Sequence, residues 1–274
     1  CDPVWTAAGG DFNFQIYMGA AVTGLSDIIV NGNAKALSMT SCTISGDAYF
    51  QTSSTCAVGG TQYPNTPPPS PLPFPISNAQ ITDWESAAAA GGTIGAYSMD
   101  GGATSTLGPV VVNGNFTLNN NSILKIKGPI WVKGDVLLDN GSKILVDSSL
   151  GNNGTVLIAD KPGSATTTGK IIINNNAVGE GNGQSGSEML FISAYSGADD
   201  AIYLGNNASS SIFFAPYGTI HVTNNTNLLE MTAYRAILDN NAIVNYHSGL
   251  QNANFSNGPG GSWIFQAGSY AITD

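Results

Sequence analysis

The sequence predicts an all-β fold: a right-handed parallel β-helix, or β-solenoid, with one short amphipathic helix and a Pro-rich strap. Three observations carry this expectation. Apolar runs of four to six residues recur from Thr93 to the C-terminus with no helical period. Asn, Gly or Ser closes each run. One turn recurs in near copies: LNNNS at 118–122, LDNGS at 138–142, INNNA at 173–177, LGNNA at 204–208 and LDNNA at 238–242.

The central asparagines of the turns are Asn120, Asn140, Asn175, Asn206, Asn224 and Asn240. Some neighbours in this series lie one solenoid coil apart in sequence. Others lie about two coils apart, with one turn of different sequence between them. A coil corner often needs a left-handed backbone, which Asn tolerates best after Gly. Stacked asparagines also hydrogen-bond amide to amide along the axis. The six asparagines are therefore expected to form a structural ladder. With coils of about 20 residues spaced roughly 4.8 Å apart, the section after residue 93 is expected to hold about nine coils over about 40 Å.

Four sections follow in order. Residues 1–60 form an N-terminal β section, with runs such as FNFQIYM at 12–18 and DAYFQT at 47–52. Residues 61–76 form the strap; seven of the chain's 13 prolines fall at 64–75, and so extended a segment joins no central ladder. Residues 77–92 form the helix. Ser77 and Gln80 fit a capping box, and Ile76 and Ile81 fit the staple that goes with it. Ile81, Trp84 and Ala88 share one face, and Gly91 is expected to supply a left-handed C-cap. Such a helix covers an open end or side of the β core. Residues 93–274 form the main solenoid.

Composition narrows the function. Of the 274 residues, enough for a large core, 42% are hydrophobic and only 9% charged. Small neutral side chains stack in register without the repulsion that like charges suffer. Net charge is −10 and the sole arginine is Arg235, so no basic stripe exists to meet nucleic acid or an anionic membrane. Cys42 and Cys56, close together in a Thr/Ser-rich stretch, read either as a disulfide or as two small buried hydrophobes. Cys1 reads either as a lipid-modified or linking N-terminal cysteine left by processing, or as a residue whose upstream chain is missing.

Many solenoids degrade polysaccharides, so catalytic groups must be weighed. The acidic candidates on the β body are Asp135, Asp139, Asp147, Asp160, Asp199, Asp200, Glu230 and Asp239. Hydrolysis needs two of them across one groove, and lyase chemistry needs a base such as Arg235 beside carboxylates. The adjacent pair Asp199–Asp200 would face opposite ways on a strand and reads as a solvated loop. His221 is expected to point outward, and neither it nor His247 has metal-ligand spacing. Sequons begin at Asn115, Asn120, Asn140, Asn153, Asn207, Asn224 and Asn254, a density that composition alone produces. Tyr195, Tyr203, Tyr217, Tyr234 and Tyr246 fall at loosely repeat-like intervals, suited to glycan stacking or to an aromatic stack within the fold.

Five segments together resemble a known family: CTISGDAYFQT (42–52), VGGTQYP (58–64), PLPFPISNAQITDWESAAAAGGTI (71–94), GNFTLNNNSILKIKGPIWVKGDVLLDN (114–140) and ILDNNAIVNYHSGLQNANFSNGPGGSW (237–263). They resemble the outer region of bacterial PilX-type, pilin-like pilus-assembly surface proteins. That resemblance implies an exported protein at the cell surface and carries over no catalytic residues. The expectation is thus an extracellular structural or adhesive solenoid, not an enzyme, without cofactor or metal. Its expected partners are copies of itself joined head to tail into a filament, other pilus or surface components, or glycans. The rival is a polysaccharide lyase or hydrolase on the same scaffold.

Overall fold

The computed structural model describes residues 33–67, 74 and 76–238, the side chains of 210 and 211 excepted, and the backbone of short strands at 24–26, 29–30, 243–244, 254–256 and 262–264. Cys1, Asp239, Asn240, Tyr246 and His247 lie outside the described residues. The architecture is a parallel β-solenoid with one α-helix along its side.

Coil 1 carries β10 (Thr93–Ile94), β11 (Tyr97–Met99) and β12 (Thr104–Leu107). Coil 2 carries β13 (Val110–Val112), β14 (Phe116–Leu118) and β15 (Ile123–Ile126), and coil 3 carries β16 (Ile130–Val132), β17 (Val136–Leu138) and β18 (Lys143–Val146). Coil 4 carries β19 (Asn153–Ala159), β20 (Ile171–Ile173) and β21 (Val178–Glu180); coil 5 carries β22 (Met189–Ser193) and β23 (Asp200–Leu204). Coil 5 closes and coil 6 opens within the long strand β24 (Ser209–Val222). Coil 6 then passes into coil 7 within β25 (Asn227–Leu238), followed by β26 (Ile243–Val244). The described backbone ends in a hairpin, β27 (Asn254–Ser256) and β28 (Ser262–Ile264), whose first strand pairs with the start of β19.

Every coil-to-coil pairing is parallel, and three sheets result. Thr93, Val111, Trp131, Ile158, Ile192, Phe214 and Thr232 stack in one column of sheet 1, one residue from each coil. The described residues of the main solenoid therefore form seven coils, whose six steps span roughly 29 Å; the expected nine counted on to residue 274, and most positions after 238 lie outside the described residues. The longest advances in that column run from Trp131 to Ile158 and from Ile158 to Ile192. Loops in coils 3 and 4, including a 3₁₀ turn at Ser148–Leu150, account for those two long advances.

The interior is a continuous apolar column: Phe116, Val136, Ile171, Ile202 and Ile220 stack on sheet 2, and Leu118, Leu138, Ile173, Leu204 and Val222 stack beside them. Sheet 2 strands alternate buried and half-buried positions, as a sheet with one wet face must. Sheet 1 strands such as Met189–Ser193 are buried throughout, because their outer face is covered too.

The cover is α1 (Asn78–Ala90), with Phe74 and Ile76 just before it. Trp84 and Ala88 are the buried residues of α1. Trp84, with Ile76, Ile81 and Phe74, packs on Trp131, Ile158, Ile192 and Phe214. The helix thus shields a side of the core, the lateral alternative among those expected. Its capping box is formed: Ser77 accepts from the Gln80 amide while Gln80 Oε1 accepts from the Ser77 amide. The C-terminus differs from expectation, since Gly91 is right-handed at φ −80° and Gly92 is the left-handed residue at φ 99°. Gly91 is glycine for another reason: a Cβ there would collide with the Pro109 carbonyl. At the other end, the Tyr217 hydroxyl donates to Asn78 Oδ1 at 3.0 Å. The helix therefore reaches from coil 6 to coil 2.

The N-terminal section is a second, smaller solenoid. Its strands are β1 (Gly24–Ser26), β2 (Ile29–Val30), β3 (Ala34–Lys35), β4 (Ser38–Thr40), β5 (Thr43–Ile44), β6 (Ala48–Phe50), β7 (Thr52–Ser54), β8 (Ala57–Val58) and β9 (Gln62–Pro64). They form three parallel sheets with a constant coil step, as in Gly24–Ser38–Thr52. The Cys42–Cys56 disulfide joins equivalent positions of successive coils. Asn33 and Asp47 each accept from the backbone amide one coil on, at 2.7 and 2.8 Å, and Tyr49 stacks on Tyr63 at 4.5 Å. Met231 and Leu238, on β25 of the main solenoid, pack against both cores.

Candidate functional site

Three places gather polar side chains. The first is the corner between sheets 2 and 3. Asn120, Asn140, Asn175, Asn206 and Asn224 all have φ between 49° and 54°, and the next residue of each turn is also left-handed. Each corner amide reaches one coil down. Asn120 donates to Asp100 (2.7 Å), Asn140 to Asn119 (2.9 Å) and Asn175 to Asp139 (2.7 Å). Asn206 donates to Asn175 (2.9 Å) and Asn224 to Asn206 (3.0 Å). Only the upper two rungs join neighbours in the asparagine column. The lower three use the Asp or Asn just before the corner, so Asp100, Asn119 and Asp139 belong to the ladder as well. A following small residue is buried at Ser122, Ser142, Ala177, Ala208 and Thr226.

The second place is the exterior of sheet 2. His221 points outward in register with Tyr203, its Nδ1 lies 3.0 Å from Asp200 Oδ2, and its ring meets Tyr203 edge-on. Lys170 lies 2.6 Å from Asp199 and over the Tyr195 ring. The Lys170 hydrogen bond holds the Asp199 carboxyl below its ordinary range. Asp199 and Asp200 thus take different partners. Tyr195 is buried, whereas Tyr217 and Tyr234 are exposed at the corner between sheets 1 and 2.

The third place is the seam between α1 and sheet 1. Asp160 follows β19, Lys133 follows β16, and Glu85 descends from the helix. The Trp131 indole N–H donates to the Asp160 carbonyl at 2.8 Å, and Lys133 Nζ sits 4.1 Å over the Trp131 ring. The Glu85 carboxyl is pushed up to about 7 by burial first and then by the Asp160 charge, with Lys133 opposing. Burial also raises Asp160, against the pull of Glu85 and Lys133. Oε1 of Glu85 is buried without a hydrogen-bond donor.

The remaining sequence candidates serve the fold. Asp135 Oδ1 accepts from Thr168 and from the amides of Gly169 and Lys170, at 2.9 to 3.1 Å, pinning the coil-4 loop. Asp147 caps the 3₁₀ turn through Ser149, which lowers its pKa. Glu230 is buried on sheet 1 in the column of Ile212, while Arg235 is exposed on sheet 2 in the column of Asp200 and Thr219. These two do not share a face. Glu85 escapes a sequence reading that looks for carboxylates only on the β body. The signal was present: Glu85 lies four residues after Ile81 and beside Trp84, on the helix stripe that packs inward.

No protein-family model, no curated protein and no solved structure matches the chain.

Proposed function

We propose that the chain is an extracellular structural or adhesive solenoid of the cell surface, built to stack head to tail with copies of itself in a filament or pilus-associated assembly. The supporting observation is the pair of open coil edges. Among the described residues, β10, β11 and β12 pair with the next coil only, through β13, β14 and β15. β7, β8 and β9 pair with the preceding coil only, through β4, β5 and β6. Both edges present three strands of parallel sense, so the outgoing edge of one copy suits the incoming edge of the next. Ile94, in the core column beside Val112, is 36% exposed at the incoming end. The carboxylates of the β body are largely occupied in caps, ladders and ion pairs, which favours a scaffold over a glycan-cleaving enzyme.

Sedimentation and electron microscopy of the native protein test this reading. Concentration-dependent rods are expected, and Ile94→Lys or Ala57→Lys should return the protein to monomer with its β-sheet circular dichroism intact. A native chain that stays monomeric at high concentration overturns it.

A further inference from the structure

We propose that α1 is a pH-operated clamp: a proton shared between Glu85 and Asp160 holds the helix on sheet 1, and ionisation of both carboxyls loosens it. The geometry has four parts. Glu85 lies on the same helix stripe as Ile81 and Trp84, so its carboxyl enters the seam beside an apolar cluster. Its buried Oε1 has no donor to balance a charge. The Asp160 backbone is held beside the seam, because the Trp131 indole donates to its carbonyl. One cation, Lys133, serves two carboxyls and is itself engaged over Trp131.

The charges facing Glu85 are few. Neither β13 nor β16 carries a charged residue; Lys133 follows β16, and β19 contributes only Asp160 at its end. On α1 itself the other acid is Asp83, which is exposed. Glu230 lies three coils from Val156 along the outer face of sheet 1. With both carboxyls ionised the cluster carries one uncompensated negative charge; with one proton it is neutral.

The direction follows from linkage. Glu85 binds its proton more tightly when docked than when free, its pKa rising from 4.5 to about 7. Docking is therefore fully supported below the free value and weakens as pH rises through about 7. The helix is tightest in mildly acidic surroundings. Its release would bare Ile158, Leu190, Ile192 and Phe214, a contiguous side-on apolar surface.

Hydrogen exchange on the intact chain tests the proposal, with intrinsic rates corrected for pH. Between pH 5.5 and 8.5 the protection of residues 78–90 should fall roughly tenfold, while that of β14 and β17 stays constant. Glu85→Gln, neutral at both pH values, should flatten the response, and Asp160→Asn should reduce it. Equal protection of the native helix at both pH values overturns the clamp, and so does an undiminished fall in Glu85→Gln. Should either variant fail to fold, the native comparison alone decides.

Discussion

Asn206 Nδ2 lies 2.9 Å from Asn175 Oδ1, although the two are far apart along the chain. Asn206 also accepts from Asn224 at 3.0 Å, so one side chain links three coils. Its backbone carbonyl accepts from the Asn176 amide at 2.9 Å, fixing the same corner a second time. Coil spacing, left-handed backbone and amide geometry all select one residue type there.

Asn206→Leu is expected to lower the melting temperature more than Asn140→Leu. Each places a branched residue in the left-handed region, at about 1–2 kcal/mol. Asn140 makes one inter-coil amide bond and Asn206 two. With about 1 kcal/mol for each broken bond, the loss should be roughly 5–10 °C. Thermal unfolding followed by circular dichroism gives the ranking; equal or negligible losses contradict a ladder role.

Gly91→Ala should destabilise, whereas Gly95→Ala should not. A Cβ at Gly91 meets the Pro109 carbonyl, which is backbone and cannot rotate away. One at Gly95 meets nothing within 4 Å. Chemical denaturation midpoints of the two variants would separate close approach from a general dislike of losing glycine.

Trp84→Ala should cost about 3–5 kcal/mol, the usual loss for a fully buried large aromatic. Trp84 is 0% exposed between the helix and sheet 1. Dye binding to exposed apolar surface should rise in the variant, since Ile158 and Ile192 lose their cover. A variant that melts like the parent would mean that the seam adds little stability.

Reduction of Cys42–Cys56 should loosen the small solenoid selectively. The bridge closes a loop one coil long, and a loop of that size is worth about 3 kcal/mol by chain entropy. Limited proteolysis with and without reductant should show new cleavage within 33–67 and none within 110–146. Unchanged cleavage in the first segment would place its stability in the Asn33–Asp47 ladder and the Tyr49–Tyr63 stack instead.

The parallel stack and its asparagine corners were legible because one residue type satisfies two demands at once, as at Asn175. The capped helix was legible from Ser77, Gln80 and the Ile81–Trp84–Ala88 stripe. The small solenoid was not. Its strands are two or three residues long, its interior is built largely from Ala34, Ala36, Cys42 and Ala48, and its third coil turns polar at Gln62. Such positions carry almost no hydrophobic period, and the repeat shows only when Asn33, Asp47 and Thr61 are set one above another. The Glu85–Asp160 pair lay hidden because the two acids are distant in sequence and meet only when the helix folds back along the coils.

The span of α1 has a consequence for how this protein can change over generations. Repeat arrays ordinarily gain or lose a unit by duplication or deletion, each new unit resting on its neighbours. Here 13 residues, rising about 1.5 Å each, give about 20 Å, the height of four coil steps. The helix is tied near coil 6 through Asn78 and Tyr217 and near coil 2 through Gly91 and Pro109. A coil inserted between those points would outrun its gauge by about 4.8 Å, and one removed would leave a turn of helix overhanging. The middle of the rod is therefore locked in length, and growth by duplication is open only beyond the ends of the gauge or by lengthening loops within a coil. The added residues of coils 3 and 4 took the second route.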